Sequence, residues 1–143
     1  MLFIAAALCL GFASCSSDDD EEPTPAKPGY ANLISGHWAN ASNTETMSIN
    51  YDGAGTIFYA LDQNDWSILA EGTYTLNEDK LSATYKDVFV MGPSFNSGNT
   101  YQGFTDGKSK SVTYTIQSCD GKKLVMKDDS GKTLNYEKTA DIK

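Results

Sequence analysis

The sequence predicts an all-β protein of about eight antiparallel strands in a meander that closes into a small up-and-down barrel. Three observations carry that expectation. From Ser35 onward apolar and polar residues alternate with period two, and no long stretch carries a helical period. Turn residues interrupt the alternation at intervals of about eight to twelve positions, the spacing of a chain of short strands. The links are short, so strands that follow one another in sequence pair in space, and a meander with one apolar face buries it by curling closed or by folding over as a sandwich. Tight loops throughout favour closure.

The elements follow in order. The first strand opens on Leu33-Ile34-Ser35-Gly36-His37-Trp38, and the second carries Met47, Ile49 and Tyr51 on one face. The turn Asp52-Gly53-Ala54-Gly55 leads to a third strand in which Phe58, Tyr59 and Ala60 are apolar on both faces. After Gln63-Asn64-Asp65 comes the longest clean alternation, with Trp66, Ile68, Ala70, Gly72, Tyr74 and Leu76 on one face and Ser67, Glu71, Thr73 and Thr75 on the other; Leu69 breaks it. Gly72 inside this run marks a bend, as a strand needs where a sheet curls toward closure. Asn77-Glu78-Asp79 precedes Leu81, Ala83 and Tyr85; then Val112, Tyr114 and Ile116, Leu124 and Met126, and Leu134 and Tyr136 supply the last three strands. Asp120-Gly121 and Asp128-Asp129-Ser130-Gly131 separate these, with Asx and Gly residues that tolerate left-handed backbone.

Ahead of the barrel lie two segments that cannot join a core. Residues 1–13 are apolar, short of the ~20 needed to cross a bilayer as a helix but suited to the apolar part of a secretory signal. They end at Phe12-Ala13-Ser14-Cys15, which resembles the lipobox of bacterial lipoproteins; the resemblance implies a signal peptide over residues 1–14 and a lipid anchor on Cys15. Residues 15–29 then read as a tether, acidic at first and Pro-rich after, which charge repulsion and proline keep extended. Ser16, Ser17, Asp18, Asp19, Asp20, Glu21 and Glu22 resemble the export signal of surface lipoproteins in Bacteroidetes-type bacteria. That resemblance implies a lipid-anchored protein of the outer membrane on the cell surface, the periplasmic leaflet being the alternative. The barrel domain occupies residues 30–143.

Composition narrows the chemistry. The chain has 143 residues, a net charge of −8, no arginine and scattered lysines, so it lacks the clustered cations that phosphate recognition needs, and nucleic acid is not an expected partner. Of three cysteines, Cys9 leaves with the signal and Cys15 takes lipid, so Cys119 stands alone and no internal disulfide is expected; at a strand end it reads as a small buried hydrophobe. His37, the sole histidine, alternates away from Trp38 and reads as an exposed residue that cannot build a metal site or catalytic triad alone. Glu78-Asp79 and Asp128-Asp129 sit at tight turns, where backbone capping explains them. Asp62-Gln63-Asn64-Asp65 lacks the glycine and distal glutamate of a calcium loop. No catalytic residue, metal site or cofactor is expected, and the chain does not read as an enzyme.

Two features exceed a plain barrel. Six of the eight tyrosines, Tyr51, Tyr59, Tyr74, Tyr85, Tyr114 and Tyr136, fall on the inward phase, and buried tyrosine needs a partner for its hydroxyl. Residues 91–109 form a long connection without clear alternation, carrying Phe95, Tyr101 and Phe104 among Gly, Asn and Ser; loops of this length are usually functional. The G-x-W at Gly36 and Trp38, the Tyr51-Asp52-Gly53 turn, the Gly72-Thr73-Tyr74 strand and the terminal Tyr136-Glu137-Lys138 resemble the lipocalin-like domain of small Bacteroidetes-type lipoproteins, across most of the mature chain. The resemblance gives Gly36 and Trp38 a structural role, with Trp38 closing the barrel floor. In larger lipocalins an arginine stacks on that ring; here a lysine or plain packing has to replace it.

Two functions follow as expectations. In the first, the barrel binds a small apolar or amphipathic ligand lined by Trp66, Ile68, Tyr74, Tyr85, Tyr114 and Tyr136. In the second, the barrel is solid and the 91–109 loop, through Phe95, Tyr101 and Phe104, contacts a macromolecule, as a protease-inhibitor-like or host protein- or glycan-binding module would. A void above ~300 Å³ favours the first and a filled interior the second. The domain is expected to be a monomer. Metabolic labelling with a fatty-acid analogue tests the anchor: the wild type takes up label and Cys15→Ala does not, whereas an unlabelled wild type removes Cys15 from this role.

Overall fold

A computed structural model describes residues 29–92 and 98–140, so the signal, Cys15, the residues of the acidic block and Phe95 lie outside the described residues. Eight strands, β1 (Gly36–Ala39), β2 (Glu45–Ile49), β3 (Thr56–Asp62), β4 (Ser67–Asn77), β5 (Lys80–Met91), β8 (Lys110–Cys119), β9 (Lys123–Lys127) and β10 (Thr133–Thr139), pair antiparallel with their neighbours, and β10 pairs back onto β1 to close the barrel. β6 (Thr100–Tyr101) and β7 (Phe104–Thr105) form a separate two-stranded hairpin inside the long connection. The all-β meander barrel read from the alternation is the observed fold.

Alternation sets the core directly. Met47 and Ile49 of β2, Ile57, Tyr59 and Leu61 of β3, Ile68 and Ala70 of β4, Leu124 and Met126 of β9 and Leu134 and Tyr136 of β10 all point inward and are buried. Gly72 earns its place by contact: the β4–β5 register shifts between Glu71 and Gly72, and a Cβ at Gly72 would lie 1.9 Å from the carbonyl oxygen of Thr84. Only glycine lets the two backbones cross so closely at the bend. The same bulge moves the inward phase of β5 from Leu81, Ala83 and Tyr85 to Val88 and Val90, with Lys86 as the extra residue. That is why β5 runs on to Met91, beyond what simple alternation marked. Tyr51 is a correction: β2 ends at Ile49, the chain turns, and Tyr51 is 45% exposed with its hydroxyl donating to Glu71 Oε1 at 2.6 Å.

The two ends of the barrel differ. At one end the 3₁₀ turn Tyr30–Asn32 leads in, Ile34 and Trp38 are fully buried, and Trp38 Nε1 donates to the Ile34 carbonyl at 2.7 Å. Lys138, directly opposite Trp38 across β1 and β10, places its ammonium 5.3 Å from the indole centroid, so a lysine covers the tryptophan in a cation–π contact. Gly36 makes room for it: its φ is +127°, and a Cβ there would meet Lys138 Cε at 2.6 Å. His37 lies on the outer face as the alternation requires, but it is half-buried and shares a hydrogen bond between Nδ1 and the Ser48 hydroxyl, covering Ser48 across β1 and β2. It is a cross-strand partner and not an exposed bystander. Trp38→Ala is expected to cost ~3 to 5 kcal/mol, and Trp66→Ala, at the half-buried rim, clearly less. Denaturant titration checks both, and a Trp38→Ala protein as stable as wild type would remove the floor assignment.

Candidate functional site: the open end of the barrel

The loops after β1, β3, β5 and β9 gather at the other end, and the side chains beneath them form a polar network. Glu45, the first residue of β2, shares the inward phase of Met47 and Ile49 and is only 7% exposed. Its Oε1 accepts from the Tyr59 hydroxyl at 2.9 Å and from the Tyr136 hydroxyl at 3.2 Å, while Lys132 Nζ lies 3.3 Å from Oε2. A carboxylate taken out of water needs such donors, because an uncompensated buried charge costs several kcal/mol. Beside it the Tyr85 and Tyr114 hydroxyls share a hydrogen bond of 3.1 Å. Among the described residues every buried side-chain polar atom has a partner.

Phe104 sits on top of this network. The β6–β7 hairpin folds over the mouth and drives the ring inward, where it is 6% exposed, stacked on Tyr59 at 5.3 Å and edge-on to Tyr85 at 5.7 Å. Lys110 Nζ lies 4.6 Å from the Phe104 centroid on the solvent side. Phe104, expected as a contact residue of a flexible loop, is therefore a buried plug. Its loop is held in place elsewhere too: Gly107 N–H donates to the Val88 carbonyl at 2.9 Å, and the Asp106 carboxylate accepts from Val90 N–H at 3.1 Å. These contacts satisfy the part of β5 that extends past β8 and would otherwise be an open edge. Tyr101 does stay at the surface, half-buried, with its ring stacked on Trp66 at 5.6 Å.

A cleft of about 90 Å³ opens here, bordered by Glu45, Tyr59, Phe104, Lys110, Asp128 and Lys132 among others. That is room for a few waters, far below the ~300 Å³ of a typical small-molecule pocket. Asp128 borders it but is occupied by its own turn. Burial works to raise its pKa, and the hydrogen bonds from the Ser130 hydroxyl and from the Lys132 and Ser130 amides outweigh that and hold it low. The capping role expected of Asp128 is what these bonds show.

The six side chains expected to line a ligand site do not form one surface. Tyr85, Tyr114 and Tyr136 meet inside the barrel and Ile68 is fully buried in the core, but Trp66 lies at the rim over Gly92, and Tyr74 is half-buried toward the closed end of β4. Glu45 was not singled out, although extending the Met47–Ile49 alternation back one step points it inward. Cys119 is half-buried against the core, and burial pushes its thiol pKa up, so it is held protonated and is no ready nucleophile. No group of three or more His, Cys, Asp or Glu side chains able to hold a metal occurs among the described residues. No family model, curated protein or solved structure matches the chain.

Burial raises the pKa of Tyr59, Tyr85, Tyr114 and Tyr136, with the Glu45 charge adding to it at Tyr59 and Tyr136. Folding therefore favours the protonated phenols. Below pH ~10 both states hold these protons and the four groups leave stability unchanged; above it the unfolded chain releases them and the folded one does not, so stability falls as pH rises. The unfolding midpoint is expected to drop steeply above pH ~10, with tyrosinate absorbance from the buried rings rising only as the barrel unfolds. Smooth titration of all tyrosines in the folded protein would contradict the network.

Proposed function

We propose that this protein is a non-enzymatic binding module that engages a macromolecule from its outer surface, with a solid barrel as scaffold. The observation that carries the reading is the Phe104 plug: a ring expected to make contacts anchors itself in the lumen, and the cleft beside it holds about 90 Å³. The β6–β7 hairpin, pinned by a buried aromatic and by two hydrogen bonds to β5, is pre-organised, which lowers the ordering cost of binding. Tyr101 and Trp66, stacked and half-buried at the rim, are the aromatic pair that this surface offers, and aromatic anchors of this kind dominate interface energies.

In this reading Cys15 is the lipid anchor in the outer membrane, and the acidic block from Ser16 to Glu22 directs the domain to the cell surface. The chain enters the barrel through Tyr30–Asn32 at the Trp38 end, so a tether on that side leaves the open rim facing away from the membrane. The small amphipathic ligand is the competing reading, and it requires Phe104 to leave the lumen.

Native mass spectrometry of the purified chain, combined with phenol uptake, separates the two. The wild type is expected to carry no small molecule and to ignore phenol. Phe104→Ala is expected to lose ~3 to 5 kcal/mol of stability and to take phenol into the vacated space, as apolar cavities do. A stoichiometric small molecule retained by the wild type would overturn the proposal.

A further inference from the structure

The outer face of β3, β4 and β5 departs from the rule that the solvated side of an antiparallel barrel is polar. Cross-strand pairing sets nine outward residues in three rows. Asp62, Ser67 and Met91 form the row nearest the open end, Ala60, Leu69 and Phe89 the middle one, and Phe58, Glu71 and Asp87 the third. Leu69 is 37% exposed, Met91 40% and Phe89 58%, so three of the four exposed large hydrophobics among the described residues lie together here. The bulge at Lys86 is what turns Phe89 and Met91 outward.

Glu71 and Asp87 stand directly opposite each other on exposed strands. Like charges in that relation destabilise a sheet. Glu71 accepts a hydrogen bond from Tyr51, and the ion pairs among the described residues, Lys123–Glu137 and Lys132–Glu45, lie elsewhere. Lys86, the bulge residue next to Asp87, is in neither of these ion pairs. Asp62, held by the Ser67 hydroxyl at 2.6 Å, adds a third acid on the far side of the apolar row.

We propose that this face docks a basic polypeptide segment, which lays apolar side chains on Leu69 and Phe89 and sets a lysine or arginine over Glu71 and Asp87. Charge selects this occupant. A second copy of a chain of net charge −8 would bring the same acids against each other across a two-fold contact. The tether carries its own acidic block, and an anionic lipid surface is repelled for the same reason. A cationic segment relieves the Glu71–Asp87 repulsion and covers the apolar row. The inference rests on the outer-surface reading above and names the partner's chemistry.

The probe is a labelled peptide of alternating leucine and lysine, with its leucine–glutamate counterpart as control, titrated by fluorescence anisotropy with the whole chain. The wild type is expected to bind the basic peptide, more weakly as salt rises, and not the acidic one. Leu69→Thr/Phe89→Thr is expected to weaken binding at least tenfold. Glu71→Gln/Asp87→Asn is expected to weaken binding while raising the melting temperature, a pair of opposite shifts that a merely misfolded variant would not give. Equal binding by either variant, or equal binding of both peptides, overturns the proposal. So does a wild type that sediments as a dimer and is dispersed by Leu69→Thr/Phe89→Thr, since the occupant is then a second copy. A small molecule retained in the lumen would instead overturn the outer-surface reading itself.

Discussion

When an eight-stranded sheet closes on itself, every inward side chain faces one shared lumen, and that lumen has to be filled without leaving a polar atom unpaired. The rest of this structure depends on how that is done. At one end Trp38 fills the space, with its indole N–H tied to the Ile34 carbonyl and Lys138 covering its ring. At the other end the filling is mostly tyrosine, and phenols bring hydroxyls that need acceptors. Glu45 supplies an acceptor to Tyr59 and Tyr136 at once, Lys132 balances its charge, and Tyr85 and Tyr114 satisfy each other. The network is in turn too short to reach the rim, and Phe104 from the β6–β7 hairpin closes the gap by stacking on Tyr59. Removing the carboxylate would strand two hydroxyls, and removing the phenyl ring would open the network to water.

Such an arrangement turns the β6–β7 hairpin of the long connection into part of the core. Residues in a long polar connection are usually free to move, but the part from residue 98 onward is bound through Phe104 inside the barrel and through Asp106 and Gly107 along β5. The energy of filling the lumen and the energy of ordering the loop are therefore the same term. A barrel that emptied to admit a ligand would lose both together, which is why the filled interior argues for recognition at the surface.

Strands were legible wherever the period of two held. β4, β8, β9 and β10 follow directly from alternation, and Gly72 was readable as a bend because a glycine within a strand signals close backbone approach. The G-x-W at Gly36 and Trp38 was readable as a floor, and the structure adds the reason for its glycine, since Lys138 needs the space where a Cβ would stand. What could not be read was where the phase changes. The bulge at Lys86 moves inward positions from odd to even numbers, so the alternation of Leu81, Ala83 and Tyr85 does not carry on to Val88 and Val90. Tyr51 failed for the related reason that alternation does not show where a strand stops. Phe104 failed because its burial is a tertiary fact: no local pattern in Tyr101-Gln102-Gly103-Phe104 says which of two rings turns inward. Glu45 was hidden by its type, since a lone glutamate at a strand end is normally solvated, and only three distant donors make its burial tolerable.

The same phase shift links the interior to the exterior. By inserting Lys86, the bulge sends Val88 and Val90 into the core and, by that act, turns Phe89 and Met91 out. The apolar outer row is therefore a geometric consequence of the bend that closes the barrel, but its composition is not, because threonine or serine would serve the solvated face as they do at Thr73, Thr75, Ser82 and Thr84 on the same hairpin. The paired acids Glu71 and Asp87 sharpen the point, since folding gains nothing from setting like charges opposite each other. Where closure dictates the direction of a side chain but neither packing nor pairing explains its identity, the docking proposed above would supply a physical reason for it. In this protein those positions are Leu69, Glu71, Asp87, Phe89 and Met91, side by side on two adjacent strands.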